Sequence, residues 1–204
     1  MRLLTTFILL VLLFLHNPRV EDVQQLTARA IRENRPKLCE KAKEHCSSSD
    51  FETMCIPASL NRFVCYRDYA FAKNDSSICE KIRGESGTGH SYRDECFDHY
   101  AEEKRDISIC EKLNRKGRTN RILYASCIES VQRWRGNYVL DDCLKIKDMG
   151  EPVTFAQCIA GVAKQTNDLP LCSQIFSGSK LDDGWGRTLL QRCLIEAAPP
   201  RSIP

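Results

Sequence analysis

The sequence predicts an all-α fold, an array of about five short-helix/long-helix hairpins, each braced by a disulfide. Cys65, Cys96, Cys127 and Cys158 follow one another at intervals of 31 residues. The pattern C-x3-[Tyr/Val/Ala]-Ala recurs at Cys65, Cys96, Cys158 and Cys193. In the first three of these, four residues follow the Ala and then comes Asp-x-x-[Ile/Leu]-Cys, at Asp75 to Cys79, Asp106 to Cys110 and Asp168 to Cys172. No strand-like alternation competes with the helical spacing of Tyr92, Cys96 and Tyr100 or of Leu123, Cys127 and Val131. The unit around Cys127 keeps the period but loses the Ala, and reads as a degenerate copy.

Each short helix has its own punctuation. Asp75 or Ser77 with Glu80, and Asp106 or Ser108 with Glu111, supply N-cap acceptors and a capping box just ahead of a Cys. Gly84, Gly117, Gly150 and Gly178 fall five to seven residues past Cys79, Cys110, Cys143 and Cys172, where a left-handed residue ends a helix. The short helix is therefore one or two turns. The longer helices are expected over 91–105, 119–135, 152–166 and 185–198.

The chain has 204 residues, and 30 Lys and Arg stand against 27 Asp and Glu. That balance excludes a polyanion-binding surface as the main design, so no nucleic acid is expected as a partner. Twelve cysteines exceed what a reducing compartment supports without metal motifs. Met1 and Arg2 precede an apolar run over 3–15, so residues 1–18 read as an export signal or a short membrane anchor. Residues 19–35 read as a helical lead-in, 36–198 as the disulfide-stapled repeat domain and 199–204 as a tail. The expected location is outside the cytosol: periplasmic, cell-surface or secreted, with membrane contact only through the N-terminal segment.

Two phases of cysteine pairing are possible, within each hairpin or across neighbouring ones. Bridges across hairpins strand Cys193 at one end with only Cys39, Cys46 and Cys55 at the other. Bridges within hairpins leave no orphan: Cys39–Cys65, Cys79–Cys96, Cys110–Cys127, Cys143–Cys158 and Cys172–Cys193, with Cys46–Cys55 closing an inserted loop.

Catalytic signatures such as G-x-S-x-G, a P-loop, H-E-x-x-H and G-x-G-x-x-G are absent, and no catalytic residue or cofactor is assigned. His45 with Cys46, Cys39 and Cys55 resembles a zinc ligand set, but C-x2-C pairs are lacking and oxidation is favoured, so no metal is expected. Asp98 beside His99, and acid pairs such as Asp94 with Asp98, read as solvated helix faces. One local feature suits binding. The stretch Lys112 to Arg121 contains Arg115, Lys116, Arg118 and Arg121 and no acid, and Arg133, Trp134 and Arg135 end the following helix, with Tyr138 close behind. Arg and Trp are enriched in binding hot spots, and Arg suits carboxylate partners.

The run Tyr92-Arg-Asp-Glu-Cys96, Ala101, Asp106-Ile-Ser-Ile-Cys110 resembles uncharacterised exported prokaryotic cysteine-containing helical repeat proteins, and more loosely the cysteine-rich branch of Sel1-like repeats. The resemblance spans about residues 36–198, implies stacked helical hairpins, and carries over no activity. The expected function is that of a non-catalytic scaffold binding a protein or an acidic envelope component. The alternatives are an envelope-associated hydrolase using acids on the long helices and a membrane-anchored export accessory.

Overall fold

The structure, a computed structural model, describes residues 22–48, 53–87, 89–178 and 183–197. The segment 1–18 and the tail 199–204 lie outside the described residues. No described helix is long and apolar enough to cross a membrane. The chain divides into two compact units, one ending at Lys73 and the other beginning at Asn74.

The first unit contains α1 (Val23–Arg32), a 3₁₀ turn (Pro36–Lys41), an antiparallel hairpin of β1 (His45–Ser48) and β2 (Thr53–Ile56), and α2 (Ala58–Lys73). α1 packs on α2 and on the turn. Among the described residues the regular elements of the second unit are all helical. It contains a 3₁₀ turn (Ser76–Lys81), α3 (Tyr92–Lys104), the single turn α4 (Ile107–Cys110), α5 (Arg118–Arg135), α6 (Leu140–Asp148), α7 (Pro152–Thr166), a 3₁₀ segment (Leu169–Gly178) and α8 (Asp183–Ala197). Within it the long helices pack successively, α3 on α5, α5 on α7 and α7 on α8. The buried side chains of these helices include Phe97, Tyr124, Ile128, Phe155 and Ile159.

The recurrent Ala-x4-Asp is the chemistry of a helix end. Asn34, Asn74, Arg105, Gly136 and Asn167 are left-handed, with φ of 53°, 52°, 53°, 64° and 55°, and the last four lie 31 residues apart. The next amide then reaches back five positions to a helix carbonyl. Arg35 N donates to Ala30 O at 2.9 Å, Asp106 N to Ala101 O at 2.9 Å, Asn137 N to Gln132 O at 3.3 Å and Asp168 N to Ala163 O at 3.1 Å. This six-to-one bond satisfies a carbonyl that the helix leaves open. Asp106, whose amide closes one helix, also opens the next turn, its Oδ1 accepting from Ser108 N at 3.0 Å, and Asp75 Oδ1 likewise accepts from Ser77 N at 2.9 Å. In the degenerate copy the buried Gln132 replaces Ala, and its Oε1 accepts from Val139 N at 2.6 Å, tying down the altered corner.

The structure departs from the expected capping box. Glu80 and Glu111 do not turn back to their own helix starts but brace the facing helix. Arg93 donates to both carboxylate oxygens of Glu80 at 2.7 and 2.9 Å, and Tyr124 Oη donates to Glu111 at 2.9 Å. Tyr66 Oη makes the corresponding bond to Glu40 at 2.7 Å. The β-hairpin is a second departure, because two four-residue strands are too short to declare an alternation in sequence.

The bridges are Cys39–Cys65, Cys46–Cys55, Cys79–Cys96, Cys110–Cys127, Cys143–Cys158 and Cys172–Cys193, which is the within-hairpin phase. Apart from Cys46–Cys55, each joins a short helical segment to the long helix that follows it, and its cysteines are at most 1 % exposed. A turn as short as α4 buries little beyond Ile107, Ile109 and Cys110. The chain-entropy model assigns roughly 3 kcal/mol to each cross-link of this loop length, which is comparable with what the burial of these few side chains contributes and adds to it.

Replacing Cys110→Ser together with Cys127→Ser should therefore lower stability by about 2 to 5 kcal/mol in an oxidising buffer. Thermal denaturation followed by circular dichroism reads this directly, and an unchanged melting temperature would show that apolar packing alone holds the layer.

Candidate functional site

The basic hairpin divides into two parts that behave differently. At its start Gly117, with φ of 84°, precedes α5 without a side-chain cap, and the first turn of α5 contains no acid. Lys116, Arg118 and Arg121 are exposed and make no ion pair among the described residues. Two Arg at a helix N-terminus add to the positive end of the helix dipole, so this end presents uncompensated positive charge. Arg115 is more constrained. Its guanidinium lies 5.0 Å from the centre of the Tyr124 ring and 3.5 Å from Glu111.

The far end of α5 is mostly occupied with internal contacts. Arg133 lies 3.7 Å from Glu129 and donates to Ser130 Oγ at 3.2 Å, and Arg135 Nε donates to the Arg105 carbonyl. Tyr138 donates its hydroxyl to Glu129, and its ring fills the space that a side chain at Gly161 would need. Trp134 is 59 % exposed. At helical pitch it lies roughly 25 Å along α5 from Arg118 and about 160° around the axis, so the fold does not gather the seven residues onto one face.

A cluster of carboxylates lies along α3 and the neighbouring face of α5. Asp98 Oδ1 is buried without a hydrogen-bond partner among the described residues. Burial, followed by the charges of Glu102 and Glu95, pushes its carboxyl up to about 7. Glu129 is raised mainly by burial, with Glu102 adding to the shift and Arg133 and the Tyr138 hydroxyl opposing it. Glu102 therefore acts electrostatically on both acids. Asp94 has another role: it is buried against Arg93 at 2.6 Å, near the backbone amide of Asn114.

A polar groove of about 490 Å³ opens where the corner at Asn74 meets α3 and α4, lined among others by Ser76, Tyr100, Lys104, Asp106 and Lys112. Tyr100 Oη donates to Asn74 Oδ1 at 3.3 Å, Lys112 Nζ donates to Ser76 Oγ at 3.0 Å, and Lys104 Nζ sits 5.6 Å above the Tyr100 ring. Sequence reasoning missed this groove. Its trace in the sequence was the 31-residue recurrence of Lys73 and Lys104, each just ahead of a residue that the structure shows to be left-handed.

Comparison with family models, with curated proteins and with solved structures finds no match to this chain. The site is therefore read from its own chemistry. Glu44, Cys46 and Cys55 place potential metal-ligand atoms within 4.8 Å of one another, but the two sulfurs are bonded together and offer no thiolate in this state. Cys39, also considered for that set, is bonded to Cys65.

The raised Asp98 gives a pH dependence of definite sign. Its folded-state value lies above the ordinary one, so its contribution to stability is full below about pH 4 and is lost as pH rises through about 7. Asp98→Asn should gain on the native protein between pH 4 and pH 8, by an amount on the order of a few kcal/mol. Parallel denaturant melts across that range measure it, and a constant difference between the two proteins would contradict the raised value.

Proposed function

We propose that this chain is an exported, non-catalytic α-helical scaffold that binds a protein or an acidic envelope component through the basic loop and the first turn of α5. The observation that carries this reading is the exposure of Lys116, Arg118 and Arg121 without an ion pair among the described residues, beside a helix start that has neither cap nor acid. Unneutralised cations attract an acidic partner, and the braced backbone beneath them loses little freedom on meeting it. Six disulfides suit an oxidising environment, in keeping with a periplasmic, cell-surface or secreted location. Trp134 offers a separate apolar contact at the far end of the helix.

The envelope-hydrolase reading draws its support from Asp98, whose carboxyl is held near neutrality as a general acid requires. The polar groove is lined by other residues. An export accessory anchored by 1–18 rests on a segment outside the described residues.

Charge reversal by Arg118→Glu with Arg121→Glu tests the scaffold reading. The variant should keep its circular dichroism spectrum, bind a polyglutamate matrix and native envelope proteins at least several-fold more weakly, and show a shallower salt dependence. Equal retention at low salt by a folded variant would leave these residues as a solvated face and refute the proposal.

A further inference from the structure

Five of the six bridges are closed off from solvent and one is open to it. The ten cysteines that join short segments to long helices are at most 1 % exposed, whereas Cys46 and Cys55 are both exposed. They face each other directly across β1 and β2, with Cα atoms 4.0 Å apart. Their hairpin is an addition to the repeat. Cys39 and Cys65 are separated by 26 residues where Cys79–Cys96 and Cys110–Cys127 are separated by 17, an excess of nine. The left-handed corners show the same excess: Asn34 and Asn74 are 40 apart, against 31 for the later ones.

This placement separates the bridge from the frame. Cys39–Cys65 ties the turn Pro36–Lys41 to α2 whether or not Cys46 and Cys55 are bonded. The root of the hairpin has its own tether, in which Asn61 Nδ2 donates to the Lys43 carbonyl at 2.7 Å. Thiol–disulfide exchange proceeds by attack of a thiolate on a disulfide sulfur, so its rate depends on access to that sulfur. Buried sulfurs refuse that approach; Cys46 and Cys55 permit it.

We propose that Cys46–Cys55 is a thiol–disulfide exchange site, open to a protein dithiol partner and independent of the five bridges that hold the helical frame. One partner thiolate bonds to a sulfur of the pair as the Cys46–Cys55 bond breaks, and the departing electron pair stays on the other sulfur, which takes a proton from solvent. The partner's second thiol loses its proton and attacks the mixed disulfide, and the sulfur it releases is protonated in turn. Cys46 and Cys55 have then gained two electrons and two protons, and the partner has been oxidised to its own disulfide. Glu44 Oε1 lies 3.5 Å from Cys46 Sγ. Its charge opposes a small anionic thiolate and favours a partner that brings compensating positive charge.

The experiment uses the full oxidised chain. Limited treatment with dithiothreitol, acid quenching, alkylation and peptide mapping should label Cys46 and Cys55 at least ten-fold faster than the other ten cysteines, with the helical circular dichroism unchanged. A thioredoxin-type protein lacking its resolving cysteine should then be trapped as a mixed disulfide at Cys46 or Cys55. The Cys46→Ser, Cys55→Ser double variant should remain folded and abolish the trap. Reduction of all six bridges in one step, loss of the helical signal on opening this one, trapping at a frame cysteine, or failure to trap would each overturn the proposal.

Discussion

A buried disulfide between one helical turn and the long helix after it is the interaction on which the rest of the fold depends. Segments such as Ser76–Lys81 and Ile107–Cys110 are too short to hold a helical conformation by backbone bonding, since nucleation costs more than the first turn returns. Few apolar side chains anchor these turns, Ile78 on one and Ile107 with Ile109 on the other, and each turn adds a sulfur that is covalently bonded. Once the turn is fixed, its Glu meets Arg93 or Tyr124 on the facing helix. The charged and hydroxyl contacts thus follow from the bridge.

The corner motif sets where the bridges fall. A left-handed residue followed by an amide that reaches back five positions stops a long helix within two residues, and at Asp75 and Asp106 the side chain starts the next turn at once. This leaves little freedom in the path from one hairpin to the next, which is why the 31-residue interval persists from Asn74 through Asn167 even where the sequence around Cys127 has drifted. Arg105 shows how firmly the corner is imposed. It adopts φ 53° and ψ 41° with an ordinary side chain, against a cost of roughly 1 to 2 kcal/mol. The corner also tolerates insertion, because the added β-hairpin lies between the turn Pro36–Lys41 and α2 and not across a corner.

The sequence made the frame legible through its covalent chemistry. Cysteine spacing and the orphan left at Cys193 single out one pairing phase, and Asp75 and Asp106 mark the starts of short turns. The expected stretches 119–135 and 152–166 match α5 and α7, which the structure closes at the left-handed Gly136 and Asn167. What lay hidden depends on three-dimensional neighbours. Glu80 looks like a capping residue in sequence, and only the facing Arg93 shows that it has a stronger partner. Arg133 and Arg135 look available until Glu129 and the Arg105 carbonyl are placed beside them. Tyr138 looks like a hot spot until Gly161 makes room for its ring. Asp98 reads as a solvated helix acid, and only packing shows one of its oxygens buried without a partner.

In the proposed function the frame and the surface have separate tasks: covalently held turns brace the hairpins, and the exposed start of α5 meets the partner. That division rests on the claim that the bridges supply the stability that apolar packing in such thin layers cannot. The most direct test is the far-ultraviolet circular dichroism and thermal melt of the fully reduced and alkylated chain beside the oxidised one. Loss of most of the helical signal and of the cooperative transition on reduction is the predicted result. A reduced chain that keeps its helicity and melts cooperatively near the oxidised temperature would contradict it.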